Sequence, residues 1–197
     1  MIKIDRAKLR DLIVAGIKSE ELNSKYDYSD ITDMYRLFYN CTSLKTVPEF
    51  DTSNVTNMTN MAYMFCDCRS LESVPLFDTS NVTAMHNIFD SCTSLKCVPL
   101  FDTSNVTDMH SIFENCSSLK TVPEFDTSNA TTMRLMFENC SSLESVPLFD
   151  TAKIKDMRAM FDNCTSLKDI NPYNFKGFDF RTLENDYLIA QYPEIYI

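Results

Sequence analysis

The sequence predicts an α/β repeat fold: a β-rich solenoid of six coils with short helical turns, closed at each end by a segment that does not repeat. Three observations carry this expectation. A block of about 24 residues recurs six times, starting at Asp27, Asp51, Asp78, Asp102, Asp126 and Asp150. Apolar residues hold fixed columns through the copies. The only two glycines, Gly16 and Gly177, lie outside the blocks. Self-similarity at this period marks stacked units, each too small to bury its own apolar face.

Residues 1–26 read as an N-terminal helical cap. Asp5 is placed to N-cap a helix from about Arg6 to Ala15, with Leu9, Leu12 and Ile13 on one face. Residues 27–173 form the array. One copy, Asp102 to Phe125, reads DTSNVTDMHSIFENCSSLKTVPEF. Its inner columns begin with Met34, Met61, Met85, Met109, Met133 and Met157. Phe38, Phe65, Phe89, Phe113, Phe137 and Phe161 follow, then Cys41, Cys68, Cys92, Cys116, Cys140 and Cys164. A Leu column from Leu44 to Leu167, a Val column from Val47 and a second Phe column from Phe50 complete the interior. Stacking turns such columns into ladders along the solenoid axis.

Within a unit, the Ser-Leu-x-x-Val segment is expected to form a short parallel strand, and Asn-Val-Thr-x-Met a second one. Between them, Met-x-x-Ile/Met-Phe-x-x-Cys has helical spacing and predicts one α- or 3₁₀-turn. Pro48, Pro75, Pro99, Pro123 and Pro147 end the first strand, because proline cannot donate to a ladder. With no glycine available, the turns fall to Asn, Asp and Ser. The second unit has three extra residues and predicts a bulge near Thr59–Met61. Residues 174–197 read as a C-terminal cap with a short helix over 180–192.

The arrangement Phe-x-x-Cys-x-x-Leu-x-x-Val-Pro, then Asp-Thr-Ser-Asn-Val-Thr-x-Met-x-x-Ile/Met-Phe, resembles the BspA-type leucine-rich repeats. It is most similar to the short-repeat branch found in surface proteins of mycoplasmas and lactobacilli. The resemblance covers about residues 27–173. It implies a right-handed, leucine-rich-repeat-like solenoid and a role in adhesion or protein–protein contact, and it supplies no catalytic residues.

The formal charge is −10 and the pI about 4.6. That excludes binding of nucleic acid or anionic membranes by bulk electrostatics, and it suits a basic partner or imitation of a polyanion. The first 26 residues carry six Lys/Arg against four Asp/Glu, so the acidity belongs to the array. No secretory leader is visible and no apolar stretch reaches membrane-spanning length, so the chain as written is expected in the cytoplasm, or at the cell surface if a leader was removed. There is no Gly-rich phosphate loop, GxSxG, HExxH or paired CxxC motif, so no enzyme and no cofactor are expected.

Column membership assigns most chemically notable residues to the scaffold. Six of the eight cysteines stack as buried thiols. Cys97 is off-column on the strand face, and is the thiol to test first for modification. Nine Asn-x-Ser/Thr triplets, including Asn54, Asn81, Asn105 and Asn129, follow from the repeat and read as turn chemistry. His86 and His110 share a column with Arg134 and Arg158. About 5 Å apart, the two imidazoles could hold a metal. Each column member has an acid four residues on (Asp90, Glu114, Glu138, Asp162), so local ion pairing is preferred and no metal site is assigned. The Asp51, Asp78, Asp102, Asp126 and Asp150 column is assigned to turn N–H and hydroxyl donors before calcium.

Function is left to the variable positions. Lys45, Glu72, Lys96, Lys120, Glu144 and Lys168 form one row; Glu49, Leu76, Leu100, Glu124 and Leu148 form another. The expectation is a non-enzymatic interaction module, monomeric, that binds a protein partner through Leu76, Leu100, Lys96, Lys120, Leu148, Glu72 and Glu144. It binds no nucleic acid directly and no membrane. Two alternatives stand beside it: a small acidic inhibitor of phage or mobile-element type that occupies a basic, nucleic-acid-binding surface of a host enzyme, and a surface adhesin module.

Overall fold

The computed structural model describes residues 1–31, 33–50, 58–168, 170, 171, 175, 190 and 193. The molecule is a repeat solenoid whose coils bury one continuous core. The Met column is almost solvent-free, and the Phe column from Phe38 to Phe161 is fully buried. Neighbouring rings of that column stack with centroids 5.3–5.8 Å apart and planes within 11°. Each such pair adds about 0.5–1.5 kcal/mol beyond area burial. The second Phe column packs beside it, as in Phe113–Phe125 at 6.1 Å. The space left among Phe89, Phe101, Phe113 and Phe125 is only about 10 Å³, so the interior holds no ligand cavity there.

Five of the six column thiols form the expected buried ladder, and Cys41, in the first coil, is only partly buried. Cys68, Cys92, Cys116, Cys140 and Cys164 donate to the carbonyls of Phe38, Phe65, Phe89, Phe113 and Phe137 at 3.0–3.1 Å. Burial pushes Cys68 and Cys164 up to about 12. A small side chain that also donates satisfies a carbonyl at a corner where a larger one would not fit.

The expected helical turn is absent, and a different device takes its place. In the coil around Phe89, Ile88, Asp90 and Cys92 donate to Met85, Asn87 and Phe89 at i−3. Those bonds are of 3₁₀ type, but Asn87 and Ser91 are left-handed, with φ of 54° and 61°, so no helix propagates. The alternate amides turn outward along the axis: Asn87, Phe89 and Ser91 donate to His110, Ile112 and Glu114 of the next coil. The same pair of left-handed places recurs from Arg36 and Asn40 to Ala159 and Asn163.

The second place holds Asn, Asp or Ser in each coil, as the lack of glycine implied. The first does not: Arg36, Tyr63, Leu135 and Ala159 adopt φ of 55–59° there. Inter-coil hydrogen bonding overrides the local preference, which costs about 1–2 kcal/mol per residue.

The expected strands also shorten. Among the described residues, the Ser-Leu-x-x-Val segment gives isolated bridge residues only, at Thr46, which pairs in parallel with Ser73, and at Ser145. The Asn-Val-Thr-x-Met segment gives single bridges from Asn60 through Ala84, Asp108 and Thr132 to Asp156. The coil bends too soon after each contact for a longer strand.

At the N-terminus, β1 (Ile2–Lys3) pairs in parallel with β2 (Tyr26–Asp27), which leads into the first coil. Between them lie α1 (Arg6–Val14) and α2 (Ser19–Lys25). Asp5 caps α1 as expected, accepting from the Lys8 amide at 2.8 Å. Gly16, at φ 85°, ends it: Gly16 donates to Ile13 and Ile17 to Leu12, the paired bonds of a Schellman motif. Leu9 and Ile13 are buried and Leu12 partly so. The helix α2 and both strands were not expected. Leu22 is the one fully buried side chain in α2, too few for a visible period. At Thr59–Met61, where a bulge was expected, Asn60 bridges Ala84 as the equivalent residues of later coils bridge one another; residues 51–57 and almost all of the C-terminal helix expected over 180–192 lie outside the described residues.

Candidate interaction face

The Val-Pro-x-Phe stretch decides which side chains leave the core. In Val98-Pro99-Leu100-Phe101, Val98 and Phe101 point inward and Leu100 outward. The same order holds at Leu76 and Leu148. These three leucines are 66%, 59% and 63% exposed, among columns that otherwise bury their apolar members.

The charged row lies four residues earlier and is held by backbone bonds. The amides of Glu72 and Lys96 donate to Lys45 and Glu72, and those of Glu144 and Lys168 to Lys120 and Glu144. Side chains then pair between coils: Lys96 Nζ meets Glu72 at 2.5 Å and Lys120 Nζ meets Glu144 at 2.9 Å. Bonding to Lys96 and Lys120 lowers the Glu72 and Glu144 carboxyls below their ordinary range. These pairs are solvent-exposed, so they set pattern more than stability. Cys97, beside Lys96, is exposed. A shallow groove lies among Glu144, Ser145, Ser166 and Lys168.

The described members of the aspartate column are compensated as expected, and Asp51 lies outside the described residues. Asp78 and Asp102 each accept from the amide and hydroxyl of Ser80 and Ser104, at 2.6–3.1 Å. Asp126 and Asp150 accept from the amides of Ser128 and Ala152. Bonding from Ser80, Ser104 and Ser128 lowers the Asp78, Asp102 and Asp126 carboxyls. Asparagines of the Asn-x-Ser/Thr triplets are engaged as well. Asn105 and Asn129 donate to the Ser80 and Ser104 carbonyls at 2.8 Å. Asn163 donates to Asn139, and Asn139 to Asn115, across coils.

The histidine column departs from expectation. The i,i+4 pairs require a helix, and the left-handed residues remove it. Asp108 lies 2.7 Å from His110 Nδ1 and 3.9 Å from His86 Nδ1 instead, and Arg158 pairs with Asp156 at 2.8 Å. Burial and the adjacent His110 lower the His86 pKa. The spacing Asp-x-His at 108–110 was the available signal: an Asp two residues ahead accepts the following amide and stays beside the side chain. Sequence reading also passed over Arg36, whose guanidinium lies 5.0–5.2 Å from the rings of Tyr35, Tyr39 and Tyr63.

The family described as "Mycoplasma protein of unknown function, DUF285" matches residues 11–100 and 95–180. The chain belongs to this family. It is a BspA-like leucine-rich repeat protein, as its repeat columns predicted. Proteins built from such repeats generally mediate protein interaction or adhesion. No curated protein matches the sequence. Among solved structures, the BspA-like chain is similar to a leucine-rich repeat protein from Eubacterium ventriosum, with 25% identity and a TM-score of 0.48. That match covers 68% of this chain and 38% of the other. A leucine-rich repeat protein of T. pallidum is 17% identical with a TM-score of 0.44, over 78% of this chain and 77% of its own. A leucine rich cell surface protein from Faecalibacterium prausnitzii is 22% identical with a TM-score of 0.37, over 85% and 41%. Among the described residues, no helix is long and apolar enough to cross a membrane.

Proposed function

We propose that this BspA-like protein binds a protein partner, without catalysis of its own, through the face that presents Leu76, Leu100 and Leu148. Lys96, Lys120, Glu72 and Glu144 form the polar margin. One observation carries the reading: apolar side chains stand 59–66% exposed in a single column of a molecule whose other apolar columns form its core. An apolar centre with a charged rim is the anatomy of a recognition patch. The reading takes the solenoid as right-handed, with six coils over 27–173 closed by residues 1–26 and 174–197, and the chain as a monomer that contacts neither nucleic acid nor membrane.

The test starts from a pull-down in the native host. Leu76→Asp with Leu100→Asp is expected to abolish capture of the partner, while the fold, read by circular dichroism, is unchanged. Unchanged affinity would sink the leucine face. A second reading rests on the exposed, ionised Asp78, Asp102 and Asp126 column and the charge of −10: a polyanion mimic that occupies a basic surface. Salt separates the two, because a mimic loses affinity steeply with ionic strength and an apolar face does not. We place the protein in the cytoplasm, in keeping with eight free thiols. Labelling of Cys97 by a membrane-impermeant maleimide on intact cells would place it at the surface and favour the adhesin reading.

A further inference from the structure

Residues 24 apart occupy one place on successive coils, so His86 and His110 lie face to face. Their ring centroids are 4.8 Å apart and their planes 11° apart. Asp108 sits beside both. Its Oδ1 accepts the His110 backbone N–H at 3.1 Å and lies 2.7 Å from His110 Nδ1. Its Oδ2 is 3.9 Å from His86 Nδ1. The equivalent of Asp108 one coil earlier is Ala84, so His86 has no aspartate of its own. Its Nδ1 is shielded from solvent and has no hydrogen-bond partner. An imidazole nitrogen is thus left unsatisfied against a carboxylate and a second imidazole. Among the described residues, this is the group in which ligand atoms from three metal-binding side chains fall within 4.8 Å of one another.

We propose that His86, Asp108 and His110 bind a divalent transition metal of the zinc class. Two imidazole nitrogens and one carboxylate oxygen are borderline donors, suited to zinc or copper and unsuited to calcium or magnesium, which take oxygen. Bonds of about 2.0–2.2 Å to a tetrahedral ion place ligand atoms about 3.3–3.6 Å apart. The nitrogen–oxygen separations of 2.7 Å and 3.9 Å lie either side of that, and the two rings, now stacked within 11° of parallel, must tilt out of that stack to aim both Nδ1 atoms at one ion. All three side chains are partly exposed, at 26–39%, so an ion can enter and water completes its shell. The proton shared between His110 Nδ1 and Asp108 leaves to solvent when the ion takes its place. The Tyr63 ring, edge-on to His86 at 5.4 Å, limits how far that imidazole can swing away. A bound ion would tie two neighbouring coils together outside the core.

The chain has two histidines, so its imidazole nitrogen–proton NMR spectrum reports on these two rings and nothing else. Zinc ion added stepwise to the intact chain is expected to shift both rings together and to saturate at one ion per chain. A shift of one ring alone, or of neither, overturns the proposal. Calorimetry with His86→Gln and with His110→Gln is expected to show zinc affinity reduced at least about tenfold in each, with Arg134→Gln in the same column unchanged. Equal affinity in the histidine variants would put the ion elsewhere, with Cys97 the obvious thiol, and would also overturn it. The NMR arm needs no substitution and stands even if a variant folds poorly.

Discussion

Ala159 shows how far the array constrains a single residue. It has no side chain suited to φ 55°, and it adopts that value because its coil must turn where the others do. Ala159→Gly removes the clash at the cost of a freer unfolded chain, so it is expected to stabilise by up to about 1 kcal/mol. A denaturation midpoint that falls would contradict this. Phe113 sits mid-column between Phe89 and Phe137. Phe113→Ala should cost about 3–5 kcal/mol in urea unfolding, because both neighbours lose a stacking partner and a cavity remains. Accessibility separates the thiols. Exposed Cys97 should react with a maleimide in the native state, while Cys116, buried and with its pKa raised well above the ordinary value, should react only on unfolding. Mass spectrometry of the labelled chain gives the answer directly.

At the scale of elements, burial was legible and backbone conformation was not. The Met, Phe, Cys and Leu columns read from the sequence are the observed core. Yet Met-x-x-Ile/Met-Phe-x-x-Cys fits a helix period as well as it fits a chain of turns. The side chains alone do not reveal that every second amide is used by the next coil. The same gap hid Asp108 from the histidines, since pairing four residues apart presupposed the helix. The turns also predict an acid response. The lowered carboxyls of Asp78, Asp102 and Asp126, and of Asp156, held down to about 2 by Arg158, stabilise the fold fully above their unfolded value near 3.9. That stabilisation is lost as pH falls through the folded values. Glu138 and Asp162 have the opposite sign, because burial raises them. Protonating them as pH drops toward 4 relieves a penalty. Melting temperature should therefore rise slightly on mild acidification and fall steeply between about pH 4 and 2. Asp156→Asn should flatten the lower limb. A monotonic profile would contradict the assignment.

Across the whole molecule, each coil bonds only to its neighbours, so stability should accumulate from nearest-neighbour terms. Hydrogen exchange is expected to be slowest at Phe89, Phe113 and Phe137 and faster toward both ends; uniform protection would mean a single all-or-none unit instead. Function was less legible than fold for the same reason. Repetition explains what is shared, and only the exceptions, such as Leu76, Leu100 and Ala84, carry information about use. The direction of the inter-coil bonds has one more consequence. From the coil of Met109, four amides (Met109, Ser111, Phe113 and Asn115) point toward the C-terminal end, while at Thr131 and Glu144 two point back. The peptide dipoles do not cancel, and the solenoid is electrically polar along its axis, positive toward its C-terminal end. The chain that continues from that end, residues 174–197, has four acidic and two basic residues, and the segment at the other end has the basic excess. The basic N-terminal segment thus carries the counter-charge of a stack that works as one long dipole.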